Sequence, residues 1–575
     1  MGKLVQFVLK MMIAGGKKAA YALDDATQRP REEQEKLLRR ILQKSAKSEY
    51  GVAHHFAEID SVDAYEENVP LGDYDSFAGD VARMVAGQEN VLSSEKIVHF
   101  NVTSGTMGAP KKIPVTERHV SLFKKYHAKY LNYIAAKAVG TAWTRGKGLS
   151  LSEGTYNVLP TGVTIGSASS LHTARMQKAM PFLPFDTMDL TYTSPKEARQ
   201  PSTLGVYSRY LHALFALREE NITYGNVTFS SLLLELLRYI EINWKMLCDD
   251  VENGTVNAAV VMPDAERQSV TKRLSPMPRR AAQLRRIFGD HMQEPFGALI
   301  WPNLSFFICV GGDGFQPYTD KVLSRYLGKN VHILYMGLSS SEGLYSVPLQ
   351  PDSPDAVFIP NGVYMEFLPV VDGERDPDGG IKHLWELETG KQYELAVTNL
   401  SGLYRYQLKD VIEVTGFYHK TPTMQFLHRA GYAINICAEK TSEAALRYAA
   451  VETCRELGLH LYDYCVCPKQ DDNGSRYIFM YELTALPKGL TRERLREITE
   501  KYLIQANPDY LEELQTGNLQ PTEVTILQVE TFMLYRDLMI MKGRSATQLK
   551  PVHVTSNPFQ ERFFLGLEDT EVWDA

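Results

Sequence analysis

A chain of 575 residues is too long for one ordinary domain and can bury large cores. Hydrophobic residues make up 44% of it and charged residues 23%, the balance of an ordinary globular protein. The net charge of −7, with no Lys/Arg-dense stripe interleaved with aromatics, argues against a nucleic-acid partner. The six cysteines (Cys248, Cys309, Cys437, Cys454, Cys465 and Cys467) are scattered and form no C-x-x-C, which argues against a disulfide scaffold or a zinc ribbon and fits a reducing, cytoplasmic location. No uncharged apolar run reaches about 18 residues, so no transmembrane segment is expected.

In chain order, MGKLVQFVLKMMIAGGKKAAYAL is interrupted by Lys10 and followed by Lys17 and Lys18, which reads as an amphipathic helix packed on the body and not as a signal peptide. Residues 34–48 have helical spacing, ended by Tyr50-Gly51. VPLGDYDSF (69–77) and VAGQENVLSS (85–94) read as short segments with turn chemistry. KIVHFNV (96–102) is a predicted strand, and 117–136 a predicted helix. Between them lies TSGTMGAPKK. Thr103, Ser104 and Thr106 supply hydroxyls, Gly105 and Gly108 let the main chain approach a ligand, and Lys111 and Lys112 follow. Such a loop offers N–H and O–H donors to phosphate, with an ammonium to offset its charge.

Residues 140–201, rich in Gly, Ser, Thr and Pro, read as loops and short strands able to shape a substrate pocket. Helical patterns follow from Val206 and over 230–247, and 263–288 reads as a basic, solvated helix. Residues 299–312 read as a buried strand ending in Gly311 and Gly312, 320–327 as a helix and 331–334 as a strand leading into MGLSSSEG. That order suits an open α/β sheet with a ligand at its carboxyl edge. Short strands at 364–368, 382–388 and 393–398 suggest a β-rich subdomain. The tail repeats none of this. It reads as a helix at 442–457, an antiparallel pair at 459–467 and 476–484, and a helix at 490–505. The division expected is a large domain over 1–428 and a small one over 429–575.

Four stretches carry candidate chemistry. TSGTMGAPK lacks the spacing of a P-loop and of a Rossmann fingerprint. It resembles the phosphate loop of adenylate-forming enzymes, S/T-S-G-T-S/T-G-x-P-K, with Met107 replacing a hydroxyl residue. GLSSSEG places Glu342 behind small hydroxyl residues, a setting suited to Mg²⁺ on nucleotide phosphates, because Mg²⁺ takes oxygen ligands and few carboxylates. In LYRYQLKDV, Asp410 follows a strand and can accept hydrogen bonds from two ribose hydroxyls. Tyr404 and Tyr406 can line a base or sugar there, and Arg405 is a candidate ion-pair partner. In GRSATQLKP, Lys550 sits in a loop and can reach a cleft from the second domain.

With KSAKSEYG, VPLGDYDSF, WPNL and EKTSE in the same order, these stretches make the chain resemble the Gretchen Hagen family of acyl-acid amido synthetases, the auxin- and jasmonate-conjugating type within the luciferase-like adenylate-forming superfamily. The resemblance implies an α/β fold, with a large N-terminal domain of α/β sheets and a β-rich subdomain, and a small mobile C-terminal α+β domain. It implies a ligase that uses ATP and Mg²⁺ to adenylate a small carboxylic acid and then passes the acyl group to an amino acid. Thr103, Ser104, Gly105, Thr106, Gly108 and Lys111 would hold phosphates, with Gly312, Gly337, Ser341 and Tyr406 also lining the nucleotide site. Glu342 would hold the metal, Asp410 the ribose, Arg429 the hinge, and Lys550 would neutralise charge at the carboxylate and α-phosphate. Leu338 stands where plant members have tyrosine, a form resembling bacterial members, and Lys409 replaces the glycine of a G-D pair. Two alternatives are a ligase with a thiol acceptor and a nucleotide-binding homologue without turnover.

Overall fold

The strand before the phosphate loop forms over Ile97–Val102, but the chain returns from the loop as a second strand, Lys112–Thr116, paired antiparallel to the first. The loop therefore closes a hairpin; it does not join a strand to a helix. Ile113 and Val115 explain why, since both point into the core from one face of KIPVT, which keeps the segment extended until Glu117 begins the helix. The structure is a computed structural model describing residues 2–103, 110–177, 186–203, 205–371, 373–429, 436, 439, 441–471, 474–485 and 489–573. It comprises two compact units, Met1–His428 with Arg544–Gln548, and Arg429–Gly543 with Leu549–Ala575.

Among the described residues, the first unit holds three sheets. The hairpin belongs to a four-stranded one, in which Thr164–Gly166 runs parallel to Ile97–Val102 and Asn157–Val158 closes the edge. A second is wholly parallel, in the order Lys147–Ser150, Ile222–Phe229, Phe306–Val310, His332–Tyr335. Its inner strand ITYGNVTF escapes a sequence reading because strongly helical stretches, Ser208–Arg218 and Ser230–Asn253, flank it on both sides. The third is the eight-stranded β-rich subdomain, built around Tyr364–Val371, Gln392–Thr398 and Tyr406–Tyr418.

Several helices depart from expectation for local reasons. Ser48 caps a new helix, Glu49–Ala53, so Tyr50-Gly51 lies inside a helix and does not end one. Asp73 caps Tyr74–Val85, turning most of the expected turn region into helix. The basic stretch splits into Asp264–Thr271 and Pro278–His291, because Pro276 and Pro278 forbid continuity. Of 299–312 only Phe306–Val310 is strand; Phe296–Ile300 is a helical turn, and buried Trp301 donates from Nε1 to Ala216 O at 3.0 Å. The N-terminal helix Gly2–Thr27 buries Val5, Leu9, Ala19 and Leu23 and lies against the π-helical turn Tyr126–Tyr130. Gly16 permits that contact, since a Cβ there would stand 2.2 Å from Lys129 O.

The second unit has its own core, with Leu446, Val466, Phe479, Leu495 and Leu503 packed between helices and a three-stranded sheet. Leu461–Asp471 pairs antiparallel to Gly474–Leu483, and Glu523–Leu527 adds in parallel. Among the described residues, no helix is long and apolar enough to cross a membrane.

Candidate active site

The hairpin mouth is fixed by two reciprocal bonds. Thr103 N donates to Lys111 O, and Lys111 N donates to Thr103 Oγ1, both at 3.0 Å. Ser104, Gly105, Thr106 and Gly108 lie outside the described residues. Lys111 is exposed, its ammonium 5.4 Å above the Tyr74 ring. The Tyr74 hydroxyl accepts from Lys112 N at 2.9 Å. Beside it, Gly72 N donates to Arg405 O at 3.1 Å and Gln407 N donates to Gly72 O at 2.8 Å. GDYDSF thus joins the hairpin to LYRYQLKD.

The SSSEG segment is a tight turn in which Ser340 N donates to Gly343 O at 2.9 Å. Gly337 enters it with φ +75°, and a Cβ there would stand 2.4 Å from Ser346 O, so this glycine serves the backbone. Gly312 has no such crowding; its nearest neighbour to a Cβ is Pro354 at 3.5 Å. Glu342 is 8% exposed and takes a 2.6 Å hydrogen bond from Ser340 Oγ, whose oxygen also lies 2.7 Å from the Tyr345 hydroxyl. Two asparagines hold the turn from opposite sides. Asn101 Nδ2 donates to Ser341 O at 2.8 Å, and Asn399 Nδ2 donates to Glu342 O at 3.0 Å.

Asp410 does not follow a strand. It lies within Tyr406–Tyr418, inside the register break between Gln407, which pairs with Ala396, and Val411, which pairs with Glu394. Lys409 makes that bulge with φ +63°, the backbone that a glycine would adopt freely. Asp410 is 5% exposed and Tyr406 2%. Tyr345, wholly buried, ties the groups together. Burial raises its pKa well above the usual phenol range, and the charges of Glu342 and Asp410 add to the effect. The structure therefore brings the hairpin mouth, Ser341, Glu342, Tyr406 and Asp410 to one place.

The neighbours of Tyr406 are structural. Tyr404 is fully buried, stacked on Tyr50 with centroids 4.9 Å apart, and donates to Leu92 O at 2.6 Å, so it is core and lines no ligand. Arg405, also with positive φ at +47°, is an ion-pair partner: Nε donates to Glu366 at 2.9 Å and NH1 to the carbonyls of Glu66 and Val69 at 2.8 and 2.7 Å. Arg429 ends the strand Thr421–Arg429 and is exposed. Lys550 is exposed in the second unit, where its charge helps lower the Glu443 pKa after the larger effect of His553. Sequence reasoning missed Tyr74, Asn101, Asn399 and Tyr345. Asn101 and Asn399 each stand in or just after a strand at a site motif, and that placement of an amide was the available signal.

Residues 19–333 match the GH3 family N-terminal domain, 356–429 the GH3 family central domain and 445–558 the GH3 family C-terminal domain. The chain belongs to the GH3 family. An indole-3-acetic acid-amido synthetase of Arabidopsis thaliana, GH3.4, is 26% identical over 561 residues, covering 93% of this chain and 90% of its own. A jasmonoyl–L-amino acid synthetase of Oryza sativa subsp. japonica, GH3.5, is 25% identical over 541 residues, covering 90% and 91%. In three dimensions, the GH3.15 acyl acid amido synthetase superposes with a TM-score of 0.83 at 21% identity, over 96% of each chain. A 2-hydroxyisobutyryl-CoA ligase in the postadenylation state superposes at 0.51 and 10% identity, over 93% of this GH3 chain and 92% of the ligase. These likenesses give the GH3 protein the fold of the adenylate-forming ligases, as its motifs led one to expect.

Proposed function

We propose that this GH3 protein is an ATP-dependent acyl-acid amido synthetase. The observation that carries the reading is the double clamp of Asn101 on Ser341 and Asn399 on Glu342, at 2.8 and 3.0 Å, which sets an enclosed carboxylate beside the phosphate hairpin and Asp410. In the first step a carboxylate oxygen of the acid bonds to the α-phosphorus of ATP, and the bond to pyrophosphate breaks. In the second, an amino acid nitrogen attacks the acyl carbon, the bond to AMP breaks, and the ammonium proton leaves. Both steps depend on positioning and charge neutralisation.

The residue roles follow from this reading. Thr103, the loop after it and Lys111 would steady the β- and γ-phosphates, Asp410 would accept from the ribose hydroxyls, and Lys550 would offset charge at the α-phosphate. Glu342 suits Mg²⁺, which binds through one or two carboxylates plus substrate phosphates and supplies charge neutralisation there. Tyr406, Gly312 and Gly337 complete the nucleotide wall, and Arg429 marks the boundary at which the second unit would turn between the half-reactions. Cys248, Cys309, Cys454, Cys465 and Cys467 are free, buried thiols, in keeping with a reducing compartment such as the cytoplasm.

The test is pyrophosphate release across a panel of acids and amino acids with Mg-ATP, the products identified by mass. Amide formed only when acid, amino acid and ATP are all present supports the reading. A thioester formed with coenzyme A and no amide assigns a thiol acceptor. ATP binding by calorimetry with no pyrophosphate from any acid overturns it.

A further inference from the structure

Four histidines of the first unit gather where the reaction as proposed uses none of them. His99 lies on the strand Ile97–Val102, His119 on the helix Glu117–Lys125, His127 on the π turn Tyr126–Tyr130 and His172 on the helix Ala168–Gln177. Phe123 is the centre of three of them. Its ring stacks on His172 at 4.4 Å and on His119 at 5.0 Å, with His127 edge-on at 5.0 Å. A π turn inside a helix is costly and recurs at functional sites.

The cluster adjoins the proposed adenylation wall. His127 Nε2 lies 3.1 Å from Met336 O, one residue before Gly337. His99 lies 2.7 Å from Thr164 Oγ1 and 3.3 Å from Gly166 O, and Gly166 pairs with Asn101, the residue that clamps Ser341. The carboxylate to be adenylated must lie beside that wall.

These imidazoles are neutral. Burial pushes His99, His119 and His127 down to about 4, and His172 well below its ordinary value. Each therefore offers one N–H donor and one bare nitrogen. Both nitrogens of His99 and Nε2 of His127 face protein groups, but Nε2 of His119 and Nε2 of His172 are enclosed with no partner among the described residues. His119 is 9% exposed, whereas the His127 and His172 side chains are half-buried and keep some open surface. An enclosed polar nitrogen left unpaired costs free energy, so the arrangement calls for a polar group brought in from outside. Among the described residues no three metal-ligating groups converge, so that group is not a protein-caged cation. It is also uncharged, because neutral rings in a dry setting do not offset an ion.

We propose that His119 and His172, both stacked on Phe123 with their own ring centroids 6.5 Å apart, recognise the acid substrate, and that this acid carries a hydroxyl or carbonyl group on an aromatic ring. The inference rests on the amido synthetase reading and names its acid. The rings supply flat faces for an aromatic body, and the two Nε2 atoms supply the hydrogen bonds. A site built to bond a hydroxyl discriminates strongly against the analogue lacking it, because its own polar atoms are then left bare.

The test uses matched acids in the pyrophosphate assay: benzoate against 4-hydroxybenzoate and phenylacetate against 4-hydroxyphenylacetate, with hexanoate as the ringless control. The hydroxylated acids should lead by about tenfold or more in kcat/KM. His172→Phe and His119→Phe should collapse that ratio to within about threefold, with the loss falling on the hydroxylated acid. Turnover with no such preference, or variants that depress both acids alike, overturns the proposal and leaves water as the partner of the two nitrogens. Imidazole ¹⁵N spectra of the unsubstituted protein give a readout that needs neither turnover nor a variant. Saturating 4-hydroxybenzoate should move two Nε2 resonances that benzoate leaves in place, and no movement overturns the proposal. Absence of pyrophosphate with every acid, together with moved resonances, instead overturns the amido synthetase reading and keeps the site.

Discussion

Lys409 shows how far single residues reveal this site and where they stop. Its place before Asp410 was legible as a departure from a glycine, but the bulge that needs that glycine was not, because positive φ leaves no mark on a lysine-containing strand pattern. With φ +63°, Lys409 pays a steric cost that glycine would not. Lys409→Gly should therefore be neutral to stabilising by up to about 1 kcal/mol in urea unfolding, with the KM for ATP unchanged. Lys409→Val should destabilise and raise that KM, since a β-branched residue tolerates the left-handed region worst. Arg405 and Glu366 make a second case. Burial pushes Glu366 up to about 7 against the opposing pull of Arg405. A carboxyl raised above its unfolded value contributes stability that is full below the ordinary carboxylate pKa and is lost as pH rises through 7. Stability should fall by up to about 3 kcal/mol between pH 4.5 and 7.5 on this account, and Glu366→Gln should flatten that slope. Arg405→Ala, which strands the buried carboxyl, should cost about 3–5 kcal/mol at pH 7.5.

At the scale of elements, periodicity located what has one clear face and lost what has two neighbours of another kind. The helix Glu443–Glu456 and the pair Leu461–Asp471 and Gly474–Leu483 were legible because their apolar spacing is undisturbed. Ile222–Phe229 was hidden between helices, and Lys112–Thr116 behind a loop whose sequence signal is phosphate binding and not pairing. The N-terminal helix has an opposite lesson. AGG inside it looks like a weakness of about 1 kcal/mol per glycine, yet Gly16 is where the helix touches the π turn that carries His127. Its Cβ would meet Lys129 O at 2.2 Å and Tyr133 Cβ at 2.7 Å, and the carbonyl cannot swing aside as a side chain would. Gly16→Ala should therefore destabilise by about 1–3 kcal/mol despite alanine's better helix propensity, read as a lowered midpoint in urea. Gly79→Ala, in the helix Tyr74–Val85 with nothing within 4 Å of its Cβ, should stabilise instead. Equal effects at the two positions would show that propensity, not the contact, decides.

The proposed machinery is divided between two units with separate cores. Glu342, Asp410 and the hairpin belong to the first, and Lys550 to the second. Lys550 is exposed, so its substitution removes a charge without opening a cavity. Its surroundings have anchors besides it. His553 lies 3.3 Å from Asp463 and 3.6 Å from Glu443 and stacks on Tyr464 at 4.5 Å, so the loop after QLKP keeps its anchor when the lysine is gone. Lys550→Ala should then lower acid-dependent pyrophosphate release by about 10²–10³-fold, the usual cost of losing one group aimed at developing charge. Thermal unfolding should shift by less than about 2 °C. The role proposed for Lys550 is confined to the first half-reaction; in the second, the breaking acyl–oxygen bond leaves its electron pair and a second negative charge on the phosphate of AMP, which the groups proposed in the first unit would offset. Chemically supplied acyl-adenylate should accordingly react with the amino acid at a rate within about threefold of the unsubstituted protein. Equal loss in both half-reactions would mean that Lys550 holds the nucleotide throughout, and loss in neither would remove the second unit from adenylation.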